Sequence, residues 1–231
     1  MSVNLSFVEL FNKVTNPSFA NKETKIGSFE VKEYNTGDSL VPLSLLRVEQ
    51  NDTEFTSFNH CLVHEMKDIT EKRTSIIHDS DCDGIAFVNH GTSDGLILVE
   101  LKSQFSTKKI KDAFSQMICS FLKLHAMLSL CKNYSIDSIS IQFIAACQCF
   151  EDEIQEDGVY NRLNMAERSA KATFEGSFMR KLIEKHNIEV KLGDVTDLWG
   201  VPLNSSLTNK QLTLSLQMTK KYGDTSAVYV M

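Results

Sequence analysis

The segment that most constrains the fold is an apolar run with a charged end, Leu96-Ile97-Leu98-Val99-Glu100-Leu101-Lys102. Short aliphatic and β-branched runs bounded by turn residues are typical of buried strands. A second apolar run covers residues 82–88, and residues 89–95 between the two are rich in turn-forming side chains, including an Asp-Gly pair. The two runs therefore predict a β-hairpin whose second strand is buried and ends in two charged residues.

The charged end of this hairpin has the residue types that a hydrolytic metal centre requires. Side chains alternate along a strand, so Glu100 and Lys102 are expected on one face and Val99 and Leu101 on the other. Asp83, at the start of the first strand, can bring its carboxylate beside Glu100 if the register is suitable. Carboxylate oxygens are ligands that Mg²⁺ prefers, and a nearby ammonium group stabilises the charge that develops on a phosphate.

Helical periodicity appears in several other segments. Apolar residues recur at helical spacing over residues 5–14, 55–69 and 163–186, and Glu65 lies beside the apolar stripe of the second segment. A long helix is predicted over residues 106–130, with Ser106 or Thr107 as its N-cap. The acidic residues between 151 and 158 are interpreted as a surface loop.

Strand patterns account for most of the remaining chain. They lie between residues 26 and 48, and over residues 138–147, 188–192, 212–216 and 227–230. The chain has 231 residues, and it contains neither a repeat nor a low-complexity linker. We therefore predict a single domain over residues 1–231, with a motif core at about 60–146 and C-terminal helices and strands over 150–231 that are free to form an interface.

Composition excludes several classes of protein. The longest apolar stretch, residues 117–131, is interrupted by Lys123 and His125, and the N-terminus lacks the basic start of a secretory signal. We therefore expect neither a membrane span nor a membrane partner. The formal net charge of -6 argues against a protein that coats nucleic acid indiscriminately. The six cysteines lack the spacing of a zinc or redox motif, so we expect reduced thiols and a cytoplasmic location.

The order of acidic residue, hairpin, Glu-x-Lys strand and following helix resembles the PD-(D/E)xK nuclease superfamily. The resemblance covers about residues 60–146 and implies a restriction-endonuclease-like α/β (α+β) fold, a mixed central sheet flanked by helices. It also implies that Asp83 and Glu100 bind Mg²⁺ or Mn²⁺, with the Leu101 carbonyl as a third ligand. Lys102 would then orient the attacking water and stabilise the transition-state charge.

Two further residues are implied by branches of the superfamily. Some branches have a glutamine on the helix after the motif, and Gln116 matches it. Many have an acidic residue on a preceding helix, for which Glu65 is the candidate metal ligand.

The sequence leaves several alternatives open. Cys82 stands where the motif has proline, and Asp79 and Asp81 compete with Asp83 for the role of first metal ligand. At the start of the long helix, Lys108, Lys109 and Lys111 either contact phosphate or form a solvated face. His60 and His64 have a spacing that can bind zinc. Trp199 is either a core or interface anchor or a stacking platform.

The function implied by the resemblance is a divalent-metal-dependent endonuclease, with DNA rather than RNA as the expected substrate. Restriction, repair or phage defence would be its setting, with an oligomer or a partner subunit helping an acidic chain to capture its substrate. An alternative is a PD-(D/E)xK-like subunit that has lost cleavage and binds nucleic acid or protein. The simplest alternative is structural, a strand edge whose exposed Glu–Lys pair contributes about 0.2–1 kcal/mol.

Overall fold

The computed structural model describes residues 3–14, 22–32, 43–58, 81–89, 91 and 93–231. The strands are β1 Lys22–Lys32, β2 Leu45–Phe58, β3 Gly84–Asn89, β4 Asp94–Lys102, β5 Ile139–Cys147, β6 Asn187–Lys191, β7 Gln211–Met218 and β8 Ser226–Val230. The helices are α1 Val3–Val14, α2 Thr107–Leu128, α3 Glu153–Glu167, α4 Arg180–Lys185, α5 Leu192–Thr196 and α6 Ser205–Thr208. Short 3₁₀ turns cover Ile136–Ser138 and Asp197–Trp199, and a π-helical turn covers Glu175–Met179.

The strands form one mixed sheet in the order β1-β2-β3-β4-β5-β7-β6, with β8 paired to β2. Strands β1 to β4 are antiparallel neighbours, β5 and β7 run parallel to β4, and β6 is antiparallel to β7. Helix α2 makes the crossover between the parallel strands β4 and β5, as a connection of this kind requires. The predicted α/β class, a mixed sheet flanked by helices, is confirmed.

The central strand β4 is buried on both faces of the sheet. Leu96 and Leu98 belong to the larger core, which includes helix α2, whereas Ile97, Val99 and Leu101 belong to a second core on the opposite face. A strand covered on both sides reads as a continuous apolar run, which explains the sequence of β4. Glu100 and Lys102 continue the alternation of Leu96 and Leu98, and thus lie on the face that carries α2.

The second core is closed by residues 28–32 of β1, residues 45–49 of β2 and strand β8. The β1–β2 register shifts between Ile26 and Ser28, where Gly27 adopts a φ of 83° and Asp52 on β2 a φ of 54°. Beyond this irregularity, residues 45–49 of β2 pair in parallel with β8. Phe29, Val48 and Tyr229 from these segments are buried in the second core.

Most predicted elements are confirmed, including α1, the β3–β4 hairpin, α2, β5, β6, β7 and β8. The predicted helix over residues 55–69 is wrong where it is described, because β2 continues to Phe58. Phe55 is fully buried and pairs with Val88 of β3, so contacts distant in sequence decide this segment. The remainder of that prediction lies outside the described residues.

The acidic segment at residues 151–158 lies at the surface but is helical from Glu153 onward, so the predicted loop is wrong there. Asp152 is the N-cap of α3 and accepts a hydrogen bond from the Gln155 amide, and Glu153 and Glu156 lie in the first turn. Carboxylates are stabilised there by the helix dipole. The helical pattern of residues 163–186 is also interrupted, since α3 ends at Glu167 and helix resumes near residue 174.

Two findings concern the helices and the cysteines. Among the described helices, none combines the length and the apolar composition needed to cross a membrane. The described cysteines are free thiols, and burial raises the pKa of Cys82, Cys119 and Cys147, as in unreactive core cysteines.

Candidate active site

The hairpin register brings Asp83 and Glu100 together at one edge of the sheet. Gly84 pairs with Val99, so the next residues, Asp83 and Glu100, face each other across β3 and β4. The Asp83 backbone amide donates a hydrogen bond to Glu100 Oε2 at 3.1 Å. Asp83 Oδ2 in turn accepts one from the Leu101 amide at 2.7 Å. The proximity that the sequence required for a two-carboxylate centre is therefore present.

Glu100 is a buried acid with a strongly perturbed pKa. Its residue surface is only 3% exposed. Burial, followed by the charge of Asp83, raises the pKa of Glu100 from its ordinary value of 4.5 to about 8, while Lys102 opposes the change. A carboxylate that pays this electrostatic penalty beside a second carboxylate is typical of functional sites, and a bound cation would relieve the penalty.

Lys102 is held between the strand and helix α2. Its Nζ donates to Glu100 Oε1 at 2.5 Å and to Gln116 Oε1 at 2.6 Å. The Lys102 side chain is 19% exposed and that of Glu100 is 4% exposed, so this ion pair differs from the exposed strand-edge pair considered as the structural alternative. The predicted association of Asp83, Glu100, Lys102 and Gln116 is present in the geometry.

Helix α2 places Gln116 because its start is fixed next to the end of β4. The Ser106 side chain accepts from the Lys109 amide and caps the helix, as predicted. Ile110, Phe114 and Met117 anchor the helix in the larger core. These contacts set the rotation of the helix, and that rotation directs Gln116 toward Lys102.

Asp81 and Asp83 have different surroundings, although both precede β3. The Asp81 carboxylate contacts Lys123 Nζ at 3.1 Å and Ser120 Oγ at 3.3 Å, both on α2. Asp83 instead contacts the β4 residues Glu100 and Leu101. The geometry thus favours Asp83 over Asp81 as the partner of Glu100. Asp79, the third competitor, lies outside the described residues.

The three lysines at the start of α2 do not form one surface. Lys109 Nζ donates to Ser103 Oγ at 3.1 Å, immediately after the Lys102 strand end. Lys108 is exposed and Lys111 is half-buried. Lys109 is seven residues before Gln116 and shares its helical face, whereas Lys108 and Lys111 share a different face by their spacing of three. Lys109 is therefore the lysine of this group next to the centre.

Four further residues were considered as site residues from the sequence. Glu65, His60 and His64 lie outside the described residues. Trp199 stacks on Phe174 with ring centroids 5.7 Å apart and packs against the larger core, which matches a core anchor.

The donor set matches a hard divalent cation. Asp83 and Glu100 offer carboxylate oxygens, and each oxygen has further lone pairs beyond the hydrogen bond that it accepts. The Leu101 backbone adjoins the Asp83 carboxylate through its amide. Across the described ranges, no group of three or more His, Cys, Asp or Glu side chains forms a metal site. Mg²⁺ is commonly held by one or two carboxylates with waters and substrate phosphates, so two carboxylates suffice.

Sequence reasoning missed Ser120 and Lys123, which line the same helical face as Gln116. Ser120 is fully buried and the Lys123 side chain is 2% exposed. The available signal was a lysine inside the longest apolar stretch of the chain, because a buried charge requires a partner. That lysine was interpreted only as an interruption of the apolar run.

Comparisons of this chain with protein-family models, with curated proteins and with solved structures find no match.

Proposed function

We propose that this protein is a divalent-metal-dependent endonuclease of the PD-(D/E)xK type that hydrolyses phosphodiester bonds of DNA. The observation that carries the proposal is the buried carboxylate of Glu100, which adjoins Asp83 on one side and Lys102 on the other. A purely structural strand end has no need of an acid whose pKa is raised to about 8. The resemblance in motif order supports the same assignment.

The residues have separable roles in such a centre. Asp83 and Glu100, with the Leu101 carbonyl, would hold Mg²⁺ or Mn²⁺, which supplies Lewis-acid stabilisation of the phosphate charge when bound. Lys102 donates hydrogen bonds from a fixed ammonium and stabilises negative charge on the phosphate. Gln116 accepts from Lys102 Nζ and thereby fixes the direction of that ammonium.

The surroundings suggest a partly electrostatic recognition of the substrate. Lys109 lies beside Ser103 at the end of β4 and is placed to contact a phosphate near the centre. The first turn of α3, which follows β5, is acidic and would repel the same backbone. With a net charge of -6, capture of DNA by an oligomer or with a partner subunit is part of the proposal, as is a cytoplasmic role in restriction, repair or phage defence.

The test is cleavage of plasmid and single-stranded DNA with Mg²⁺ or Mn²⁺. Wild type is expected to cleave, chelator to abolish cleavage, and Lys102→Ala to lower the rate by about 10²–10³-fold, as when one transition-state donor is removed. Lys108→Ala is the matched control, because Lys108 is exposed and turned to another face of α2. Equal rates for wild type and Lys102→Ala would contradict the proposal.

The alternative is a non-catalytic binding subunit, and one observation favours it. Lys102 is held by two acceptors at 2.5 and 2.6 Å, an arrangement that also serves a closed structural pair. A subunit of that kind would bind DNA without cleaving it and without binding Mn²⁺ at Glu100. Calorimetric titration of Mn²⁺ into wild type and Glu100→Ala separates the two functions.

A further inference from the structure

Helix α2 presents a polar stripe to the end of β4 and to the segment that leads into β3. Gln116, Ser120 and Lys123 are spaced by four and three residues and therefore share one helical face. Their sequence neighbours Met117, Phe121 and Leu124 are buried in the larger core. Polar side chains at such depth require partners, and those of Ser120 and Lys123 lie directly before Asp83.

The contacts of this stripe hold Asp81 and Cys82, the two residues directly before Asp83. Lys123 Nζ contacts Asp81 Oδ1 at 3.1 Å, and Ser120 Oγ donates to the same oxygen at 3.3 Å. Ser120 Oγ also accepts a hydrogen bond from the Cys82 amide at 2.9 Å. The side chain of Asp81 and the backbone of Cys82 are thus joined to α2, the helix that also contacts Lys102 through Gln116.

A buried ion pair is a poor device for stability alone. Removal of two charges from water carries a large desolvation penalty, and a well-packed apolar pair of similar volume is often as stable or more stable. What the pair provides is one defined geometry for the segment that it joins. Here that segment ends at Asp83, which has to meet Glu100 and the Leu101 amide.

We propose that Asp81, Ser120 and Lys123 are positioning residues that hold Asp83 against Glu100 in the candidate centre. The inference rests on the proposed metal-dependent function for its consequence in catalysis. Its structural part, the placement of the Asp83 carboxylate on the Leu101 amide, is measurable without metal. Partners of metal ligands commonly change metal affinity by 10- to 100-fold when they are replaced.

The first experiment compares Ser120→Ala with Ser215→Ala. Both serines are fully buried and both have side-chain hydrogen bonds, but Ser215 contacts Gln142 and Tyr229, away from the centre. Hydrogen exchange of the Leu101 amide, relative to the amides of β5, reports whether Asp83 remains in place. Isothermal titration with Mn²⁺ reports the affinity of the centre.

We expect Ser120→Ala to accelerate exchange at Leu101 by about tenfold or more and to weaken Mn²⁺ binding by roughly 10- to 100-fold. Ser215→Ala should change neither quantity. Unchanged exchange at Leu101 in Ser120→Ala would overturn the inference. Accelerated exchange in a protein whose wild type binds no Mn²⁺ would support the positioning of Asp83 and refute the proposed metal function.

A second variant guards against misfolding. Lys123→Met alone removes the ammonium group beside the Asp81 carboxylate, so the double replacement Asp81→Leu/Lys123→Met supplies an apolar pair of similar volume. We expect the double variant to keep the unfolding midpoint of wild type while the Leu101 amide loses protection and cleavage falls through kcat. Wild-type protection and wild-type kcat in this folded variant would overturn the inference.

Discussion

Asp83 and Glu100 are joined across the β3–β4 hairpin by a hydrogen bond of 3.1 Å from the Asp83 amide to Glu100 Oε2. This bond stabilises the ionised form of Glu100, yet the charge of the Asp83 carboxylate and burial act in the opposite direction and prevail. The pair is thus held together by the backbone while its charges repel each other. A cation between the two carboxylates would remove that conflict.

The pH dependence of stability follows from the raised pKa of Glu100. Between about pH 4.5 and 8 the folded state keeps a proton that the unfolded state has lost, so the free energy of unfolding falls as pH rises. The contribution is complete below pH 4.5 and lost above pH 8. Glu100→Gln should flatten this slope, measured by urea unfolding in chelator. An identical slope in wild type and Glu100→Gln would contradict the assignment.

Removal of the Asp83 charge should weaken the metal centre without opening the hairpin. Asp83→Asn keeps an oxygen that can accept from the Leu101 amide but loses the negative charge. We expect Mn²⁺ affinity to fall at least tenfold, because replacing even the partner of a metal ligand commonly lowers metal affinity by about 10- to 100-fold. Asp137→Asn, at an exposed position, is the matched control. Equal affinities measured by calorimetry for Asp83→Asn and wild type would exclude Asp83 as a ligand.

Loss of the glutamine should lower the rate of cleavage more than the binding of DNA. Gln116→Ala removes the acceptor at 2.6 Å from Lys102 Nζ, so the ammonium is less firmly oriented. We expect kcat to fall roughly tenfold with little change in KM, since orientation matters most in the transition state. Gln104→Ala replaces an exposed glutamine near the same strand end and should leave both constants unchanged. A change confined to KM would indicate a substrate-binding role instead.

Gly84 is required because Val31 of β1 packs directly on it. A Cβ at residue 84 would lie 2.5 Å from Val31 Cγ2. Gly84→Ala should destabilise the protein by about 1–3 kcal/mol, as other overpacked sites do. Adding Val31→Ala should recover part of the loss, so that the two effects are not additive.

The control for this clash is Gly158→Ala in helix α3. A Cβ at residue 158 meets no atom within 4 Å. Alanine in a helix is favoured over glycine by roughly 0.5–1 kcal/mol, so this variant should be more stable than wild type. Chemical denaturation of Gly84→Ala, Val31→Ala, their double variant and Gly158→Ala measures both effects. Gly84→Ala at wild-type stability would contradict the close approach of Val31 to Gly84.

The Tyr229 hydroxyl joins the C-terminal strand β8 to β5, β7 and β6, in addition to the pairing of β8 with β2. Tyr229 OH lies 2.6 Å from Gln142 Nε2, 3.2 Å from Ser215 Oγ and 2.9 Å from Asn187 Oδ1. Tyr229→Phe should cost about 1–3 kcal/mol of unfolding free energy, because partly buried polar groups lose a partner. Tyr222→Phe, at an exposed tyrosine, should have no measurable effect. Comparable melting temperatures for the two variants would show that the hydroxyl cluster is dispensable.

The sequence by itself determined the elements whose signals are local. The apolar run of β4, the turn before it and the capped apolar helix after it predicted the hairpin and α2, and alternation placed Glu100 and Lys102 on one face. These features depend on the spacing of a few neighbouring residues, which a strand or helix converts directly into geometry. Gln116 was identified differently, from the resemblance to the superfamily, because no local signal distinguishes it from the other polar residues of the helix.

Only the tertiary structure decided which partner each group meets. It showed that Asp83 rather than Asp81 meets Glu100, and that the buried Lys123 contacts the Asp81 carboxylate. It also showed that Phe55 belongs to a strand, because β3 pairs with it. It also placed β8, residues 28–32 of β1 and residues 45–49 of β2 over the second core. Pairings between residues tens of positions apart depend on the packing of the whole sheet, which local periodicity does not contain.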